Sequence, residues 1–226
     1  MEETQLHDAC RRGYGQVAKK LLAEGAEIEA RDRNQRTPLH IAADEGREAV
    51  VQVLLAAGAD KEVRNIAQCT PLHLAAAKGY EAVEQMLLAS GADCEARDTY
   101  GSTPLHYSAF EGHEAVVLVL VAAGADLEVR NNEQSRPLHI AAGRGYEAVV
   151  QVLLAAGANK EVREHRQLTP LHVASMHGHE MAVQVLLTAG ADKETRTQKQ
   201  RYRPLHCAAA GGHETVVQVL LDAGAN

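Results

Sequence analysis

The sequence predicts an all-α repeat solenoid, built from stacked helix-turn-helix units joined by extended fingers. Three observations carry that prediction. The tetrapeptide Thr37-Pro38-Leu39-His40 returns at Thr70, Thr103, Arg136 and Thr169 at intervals of 33 residues, then at Arg203 after 34, and Thr4-Gln5-Leu6-His7 is a degraded earlier copy. A unit this short cannot bury an apolar face alone and must stack on its neighbours. Of the 226 residues, 46% are hydrophobic but only 3% are aromatic, so the core has to come from Ala, Val and Leu. Inside each unit, glycines such as Gly46 and Gly58 stop two short helices. The copies run over about 4–36, 37–69, 70–102, 103–135, 136–168, 169–202 and 203–226, within one domain spanning 1–226.

The second copy shows why each element forms. Thr37 is a good helix N-cap, and Pro38 sits at the first helical position, where its missing N–H costs nothing. Leu39, Ile41, Ala42 and Ala43 give a small-residue face that permits close packing, and Gly46 ends the helix. A second helix over about 47–57 carries Val50, Val51, Val53, Leu54 and Leu55, and Gly58 stops it. The polar stretch from Asp60 to Cys69 is extended and leads into the next Thr-Pro.

Thr37-Pro38-Leu39-His40-Ile41-Ala42-Ala43, Gly46, Val53-Leu54-Leu55 and Gly58-Ala59-Asp60 resemble an ankyrin repeat, and the match recurs across essentially the whole chain. The resemblance implies L-shaped units of antiparallel helix pairs with projecting β-hairpin fingers. It implies hydrogen bonds from the motif histidine and threonine within and between repeats. It also implies an activity of binding other proteins, without catalysis.

Several copies depart from the pattern. Asp8 replaces the apolar residue of later copies, and Lys19 and Lys20 add charge, which suits an N-terminal cap facing water. The seventh copy keeps Val216, Val217, Val219, Leu220 and Leu221, which predicts an apolar, poorly capped C-terminal end. Two readings fit: a piece of a longer array, or self-association through this repeat. In the finger turn only Gly101 is glycine, while Gln35, Gln68, Gln134, Gln167 and Gln200 occupy the equivalent positions. A positive φ is costly for glutamine, so a different turn is expected there. The extra residue lies between Gly190 and Pro204.

Composition excludes several functions. Thirty acidic and 23 basic side chains give a formal charge of −7, which argues against nucleic-acid and anionic-membrane partners. The sequence has no apolar run of 18 residues and no signal-peptide pattern. Cys10, Cys69, Cys94 and Cys207 fall at unrelated repeat positions, which predicts free thiols and an intracellular, cytoplasmic location. The motif histidines lie one repeat apart and read as structural, and His177 with His179 is a weak metal hint. No nucleophile-base pair, phosphate loop or convergent acid pair is present, so no catalysis, cofactor or metal is expected. Glu and Arg alternate along the fingers, as in Glu29 and Arg31, Glu62 and Arg64, Glu161 and Arg163. A row of arginines for phosphates is one reading, and a self-neutralising ion network between repeats is the one adopted.

The residues that vary against the repeated background are the candidate partner contacts. They are Ile66 and Lys78, then Thr99, Tyr100, Phe110 and Glu111, then Arg144. Further on come His165, Arg166, Leu168, Met176 and His177. Phe110 is the single phenylalanine, read either as an interface anchor or as packing on Tyr107 or Tyr100. Leu118 replaces a recurring glutamine and marks a small apolar spot on the other side. The function expected is a scaffold binding a protein through a concave groove centred on Tyr100, Phe110, Leu168 and Met176. The alternative is an assembly or spacer module acting through its last repeat.

Overall fold

The computed structural model describes residues 3–198 and 201–226. The chain divides into two compact units, Met1–Ala125 and Asp126–Asn226. In the first, α1 (Gln5–Arg12), α3 (Pro38–Asp44), α5 (Pro71–Lys78) and α7 (Pro104–Glu111) stack side by side. Behind them runs a second layer of α2 (Gly15–Ala23), α4 (Glu48–Ala56), α6 (Glu81–Ala89) and α8 (Glu114–Ala122). The second unit repeats the plan. Its front layer is α9 (Pro137–Arg144), α11 (Pro170–His177) and α13 (Pro204–Gly211), and its back layer is α10 (Glu147–Ala155), α12 (Glu180–Thr188) and α14 (Glu214–Asp222).

The front helices start as the sequence predicts. Thr37 holds an extended backbone, accepts the His40 N–H on its side chain, and is followed by proline at the first helical position. Helix ends need glycine for two reasons at once. Gly79 and Gly145 both sit at φ 76°, and a Cβ there would come within 2.6 Å of the His113 ring and 2.5 Å of the His179 ring. Those rings belong to the next copy. They lie over the glycine and donate from Nε2 to the carbonyls of Ala77 (3.1 Å) and Gly143 (2.9 Å).

Each core is a ladder of leucines. Leu39, Leu72 and Leu105 on the front layer and Leu54, Leu87 and Leu120 on the back are buried in the first unit, as are Leu138, Leu171, Leu153, Leu186 and Leu220 in the second. Burying one such side chain contributes about 1.5–3 kcal/mol. The alanines between them, such as Ala42, Ala75 and Ala141, let the helices approach closely.

The fingers differ from expectation in two ways. Among the described residues they contain no strand; each closes as a tight turn, with the Asp32 N–H bonded to the Arg36 carbonyl and the Gln35 N–H to the Asp32 carbonyl, both at 3.0 Å. Neighbouring tips are joined by single bonds such as Ile66 N–H to Asn34 O (3.0 Å). The second difference is a correction: the glutamines do take the positive-φ position, with Gln35, Gln68, Gln134 and Gln167 at 60–64°. A side-chain acceptor three residues earlier makes this tolerable. Asp32 Oδ1 accepts the N–H of Asn34 and of Arg36, both at 2.8 Å, and Asn65, Asp98, Asn131 and Glu164 do the same in their turns. Two such bonds offset the roughly 1–2 kcal/mol cost of a left-handed residue. Gln200 lies outside the described residues; in the sixth finger it is Arg201 that has the positive φ, at 54°. The extra residue therefore sits in the tip, between Thr197 and Tyr202, whose backbone groups close the turn at 2.9 Å.

Candidate interaction surface

In the first unit the variable residues lie on turn tips and at helix ends. Ile66 and Tyr100 stand at adjacent tip positions of successive fingers, Ile66 in register with Thr99 and Tyr100 with Ala67, and are 69% and 70% exposed, with Thr99 exposed beside Tyr100. Phe110 (42% exposed) and Glu111 close α7, and Lys78 closes α5 on the surface. Tyr107 is engaged inside the protein. Its hydroxyl donates to Asp98 Oδ2 (2.8 Å) and lies 3.4 Å from Cys69 Sγ, and its ring meets His73 edge-on. Burial pushes that thiol upward.

In the second unit Arg144 is exposed at the end of α9, and His165 and Arg166 are exposed on the fifth finger. His177 is exposed, and its Nδ1 bonds to the Val173 carbonyl (2.9 Å). Leu168 is only 8% exposed, so it does not stand out on the surface as expected from the sequence. It belongs to the floor of a groove of about 460 Å³, together with buried Cys207 and half-buried Met176, while exposed Tyr202 forms a wall and His165 and Arg166 form part of the rim.

The repeat register explains this groove. Three copies earlier, the positions of Leu168, Met176, Thr197 and Cys207 are held by Cys69, Ala77, Asp98 and Tyr107. There the tyrosine fills the space and bonds to Asp98. Cys207 is far smaller, Thr197 spends its hydroxyl on the Tyr202 N–H (3.0 Å), and the space stays open.

The motif histidines tie copy to copy. His40 Nδ1 accepts from the Thr37 hydroxyl (2.9 Å) and N–H (3.2 Å), and its Nε2–H donates to the Cys69 carbonyl, 29 residues on, at 3.0 Å. His7, His73, His139 and His172 reach Arg36, Ser102, Leu168 and Tyr202 in the same way. This pattern requires the neutral ring, and burial holds His40, His73 and His139 down at about 4. A family model of ankyrin repeats in three copies matches residues 1–65, 62–131 and 138–226, and one of many copies matches 109–154. The chain belongs to the ankyrin-repeat family. The crystal structure of the human ASB11 ankyrin repeat domain is similar at a TM-score of 0.88 with 27% identity, covering 99% of each chain. No curated protein matches the sequence.

Ankyrin repeats are generally protein–protein interaction modules, and the chemistry of this one corrects the ion-network expectation. The finger glutamates make bonds to the following repeat, beyond the arginines two residues on. Glu29, Glu62, Glu128, Glu161 and Glu194 accept the backbone N–H of Asp60, Asp93, Asn159, Asp192 and Asn226, at 2.7–2.9 Å, securing the start of the next finger. Arg64 and Arg163 donate to the carbonyls of Arg97 and Arg196 in the next finger. Neither row is a free phosphate reader. Two ion pairs come from the Arg-Pro copies: Arg136 with Glu128 (2.9 Å) and Arg203 with Glu194 (2.8 Å).

His177 and His179 stack with centroids 6.1 Å apart and bond to separate carbonyls, and no cluster of metal-binding groups occurs among the described residues. The four cysteines are free, and burial takes the Cys10 thiol up to about 12. No described helix is long and apolar enough to cross a membrane.

One residue went unread in the sequence. Glu84 on α6 stands where Val51, Val117, Val150, Val183 and Val217 stand in other copies, and its carboxyl is fully buried with both oxygens unpartnered. Burial raises it to about 9, so it is folded as the neutral acid. A charged residue breaking a run of valines in an otherwise uniform helix was the available signal.

Proposed function

We propose that this ankyrin-repeat chain is a non-catalytic scaffold that binds a protein partner through its finger tips and the exposed ends of its front helices. The observation that carries the reading is the placement of Ile66, Tyr100 and Phe110: large apolar side chains held out on ordered tips and a helix end, in a chain with few aromatics. Exposed aromatic anchors of this kind dominate interface energetics. The inert thiols fit a reducing compartment, and the location proposed is intracellular and cytoplasmic. Replacing Tyr100 and Phe110 together by alanine is expected to weaken a captured partner by about 1–2 kcal/mol or more in a calorimetric titration. An unchanged affinity removes this surface from the reading.

A second reading, assembly through the seventh copy, is favoured by Leu221 being exposed and Val217 being half-buried where Val183 is fully buried. Sedimentation equilibrium decides it: a concentration-dependent dimer supports it, and a monomer at high micromolar concentration overturns it.

A further inference from the structure

We infer that the groove between the fifth and sixth fingers takes an acidic peptide segment that inserts one apolar side chain between flanking carboxylates. The inference rests on the scaffold reading above and names the partner chemistry for this part of the surface.

The floor supplies the apolar half of the recognition. Leu168 and Cys207 are buried, Met176 lies half-buried, and the Tyr202 ring, stacked on His206 at 5.9 Å, forms one wall. The volume of about 460 Å³ is within the range of sites that enclose small ligands. A void lined by these side chains exists because Cys207 occupies the place that Tyr107 fills in the first unit. Methionine on the floor lets the groove adapt to different apolar side chains.

The rim supplies charge. Arg166 is exposed on one side, and its guanidinium is paired with no carboxylate among the described residues. Arg201, next in sequence to the wall residue Tyr202, is exposed. Among the described residues from Thr195 to Arg203 the sixth finger carries Arg196, Arg201 and Arg203 and no acidic residue, and only Arg203 of these is ion-paired, with Glu194. The nearby acids are spent. Glu164 is buried, with Oε1 accepting the N–H of Arg166 and Leu168 and Oε2 lying 2.6 Å from His165 Nδ1; Glu194 is ion-paired with Arg203. In a chain of net charge −7 this rim is locally cationic. Carboxylates on either side of an apolar anchor match it, because guanidinium groups bind them as charge-assisted forks. A neutral or basic segment would leave Arg166 and Arg201 uncompensated.

The test uses the full chain and three fluorescein-labelled synthetic 12-residue peptides: one with a central leucine flanked by aspartate and glutamate, one with the same centre flanked by lysine, and one acidic with a central glycine. Anisotropy titrations are expected to show the acidic leucine peptide binding at least tenfold tighter than either of the others. Cys207→Tyr, which fills the groove as Tyr107 does in the first unit, is expected to weaken it at least tenfold. Arg166→Glu, on an exposed site that does not threaten folding, is expected to weaken it by a similar factor and to flatten its salt dependence. The proposal is overturned if no acidic peptide binds, if the lysine peptide binds equally well, if both variants bind like the parent, or if a single-stranded RNA of equal charge competes as strongly. Failure here is separable from failure of the scaffold reading. A protein partner retained by Cys207→Tyr but lost with the Tyr100 and Phe110 alanines leaves the scaffold standing without this groove.

Discussion

The two units share one repeat and spend its variable positions differently. Residues 1–125 contain 12 basic and 19 acidic side chains and residues 126–226 contain 11 of each, so the whole net charge of −7 resides in the first unit. In the first unit Glu84 puts a carboxyl into the leucine ladder, and Tyr107 closes the gap between fingers. In the second, valines at the Glu84 position keep the ladder apolar, while Cys207 leaves the gap open. A stacked repeat tolerates a substitution so long as the capping threonine or arginine, the histidine, the glycine stop and the leucines hold their neighbours. What changes between copies is therefore free to set local stability in one place and a binding groove in another.

The largest expected effect is common to both units and provides the baseline. His40 and His73 in the first unit and His139 in the second are held at about 4, and His172 is lowered, in each case by burial. The folded value lies below the unfolded value near 6.5, so the unfolded chain binds more protons between them. Stability is then complete above about pH 6.5 and declines as pH falls towards 4, by up to about 3 kcal/mol for each of His40, His73 and His139. Urea unfolding at pH 7 and pH 4.5, with hydrogen exchange resolving the units, should show both weakened in acid. One unit resisting acid would break the claim that the same neutral ring holds both together.

Glu84 should then separate them on the alkaline side. Its folded value of about 9 lies above the unfolded value, so the folded state holds the extra proton. That contribution costs nothing below about pH 4.5 and grows as pH rises towards 9, reaching about 3 kcal/mol at pH 7. Glu84→Val, the residue of most other copies, should therefore stabilise the first unit by about that amount at pH 7 and flatten its loss between pH 5 and 9. Exchange protection in the second unit should not move. A destabilised valine variant would show that the carboxyl is held by a partner.

Tyr107→Cys imposes the second unit's choice on the first. It removes a half-buried ring and leaves Asp98 Oδ2 without its hydroxyl donor, at an expected cost of about 2 kcal/mol in the urea midpoint. Should the cost be near zero, the tyrosine is not what closes that space, and the account of the groove through Cys207 weakens with it.

Most of the fold was legible because its signals are local and repeated. Thr37-Pro38, the glycine stops and the leucine spacing each specify a backbone event within one unit, and copies at a fixed interval confirm one another. Leu168 and the Glu-Arg alternation were misjudged for the opposite reason. Whether Leu168 faces solvent, or whether Glu62 meets Arg64 or the Asp93 N–H, depends on where the next copy lies, about 31 residues away, and spacing within one finger is silent on that. The groove was half legible. His165, Arg166 and Met176 stand out as variable, whereas Tyr202 and Cys207 matter only when set against Tyr107 in the register of stacked repeats.

The smallest effect concerns the turns, where the cost of a positive φ for glutamine had suggested a different turn. Gln68 in the first unit and Gln167 in the second hold φ values of 62° and 64°. Glycine removes the left-handed penalty of about 1 kcal/mol, but it also frees the unfolded chain, which takes back roughly 0.5 kcal/mol or more. Gln68→Gly and Gln167→Gly should therefore each raise stability by only a few tenths of a kcal/mol, and Gly101→Gln should lose a similar amount. Thermal midpoints of the three variants, with exchange to assign the unit, test this. Equal small shifts mean that the two N–H bonds accepted by Asn65 and by Glu164 hold the tips equally well in both units. A markedly larger gain at Gln167 would instead locate strain in the fifth finger, on the rim of the groove, where a tip relaxed by the glycine should also alter peptide affinity.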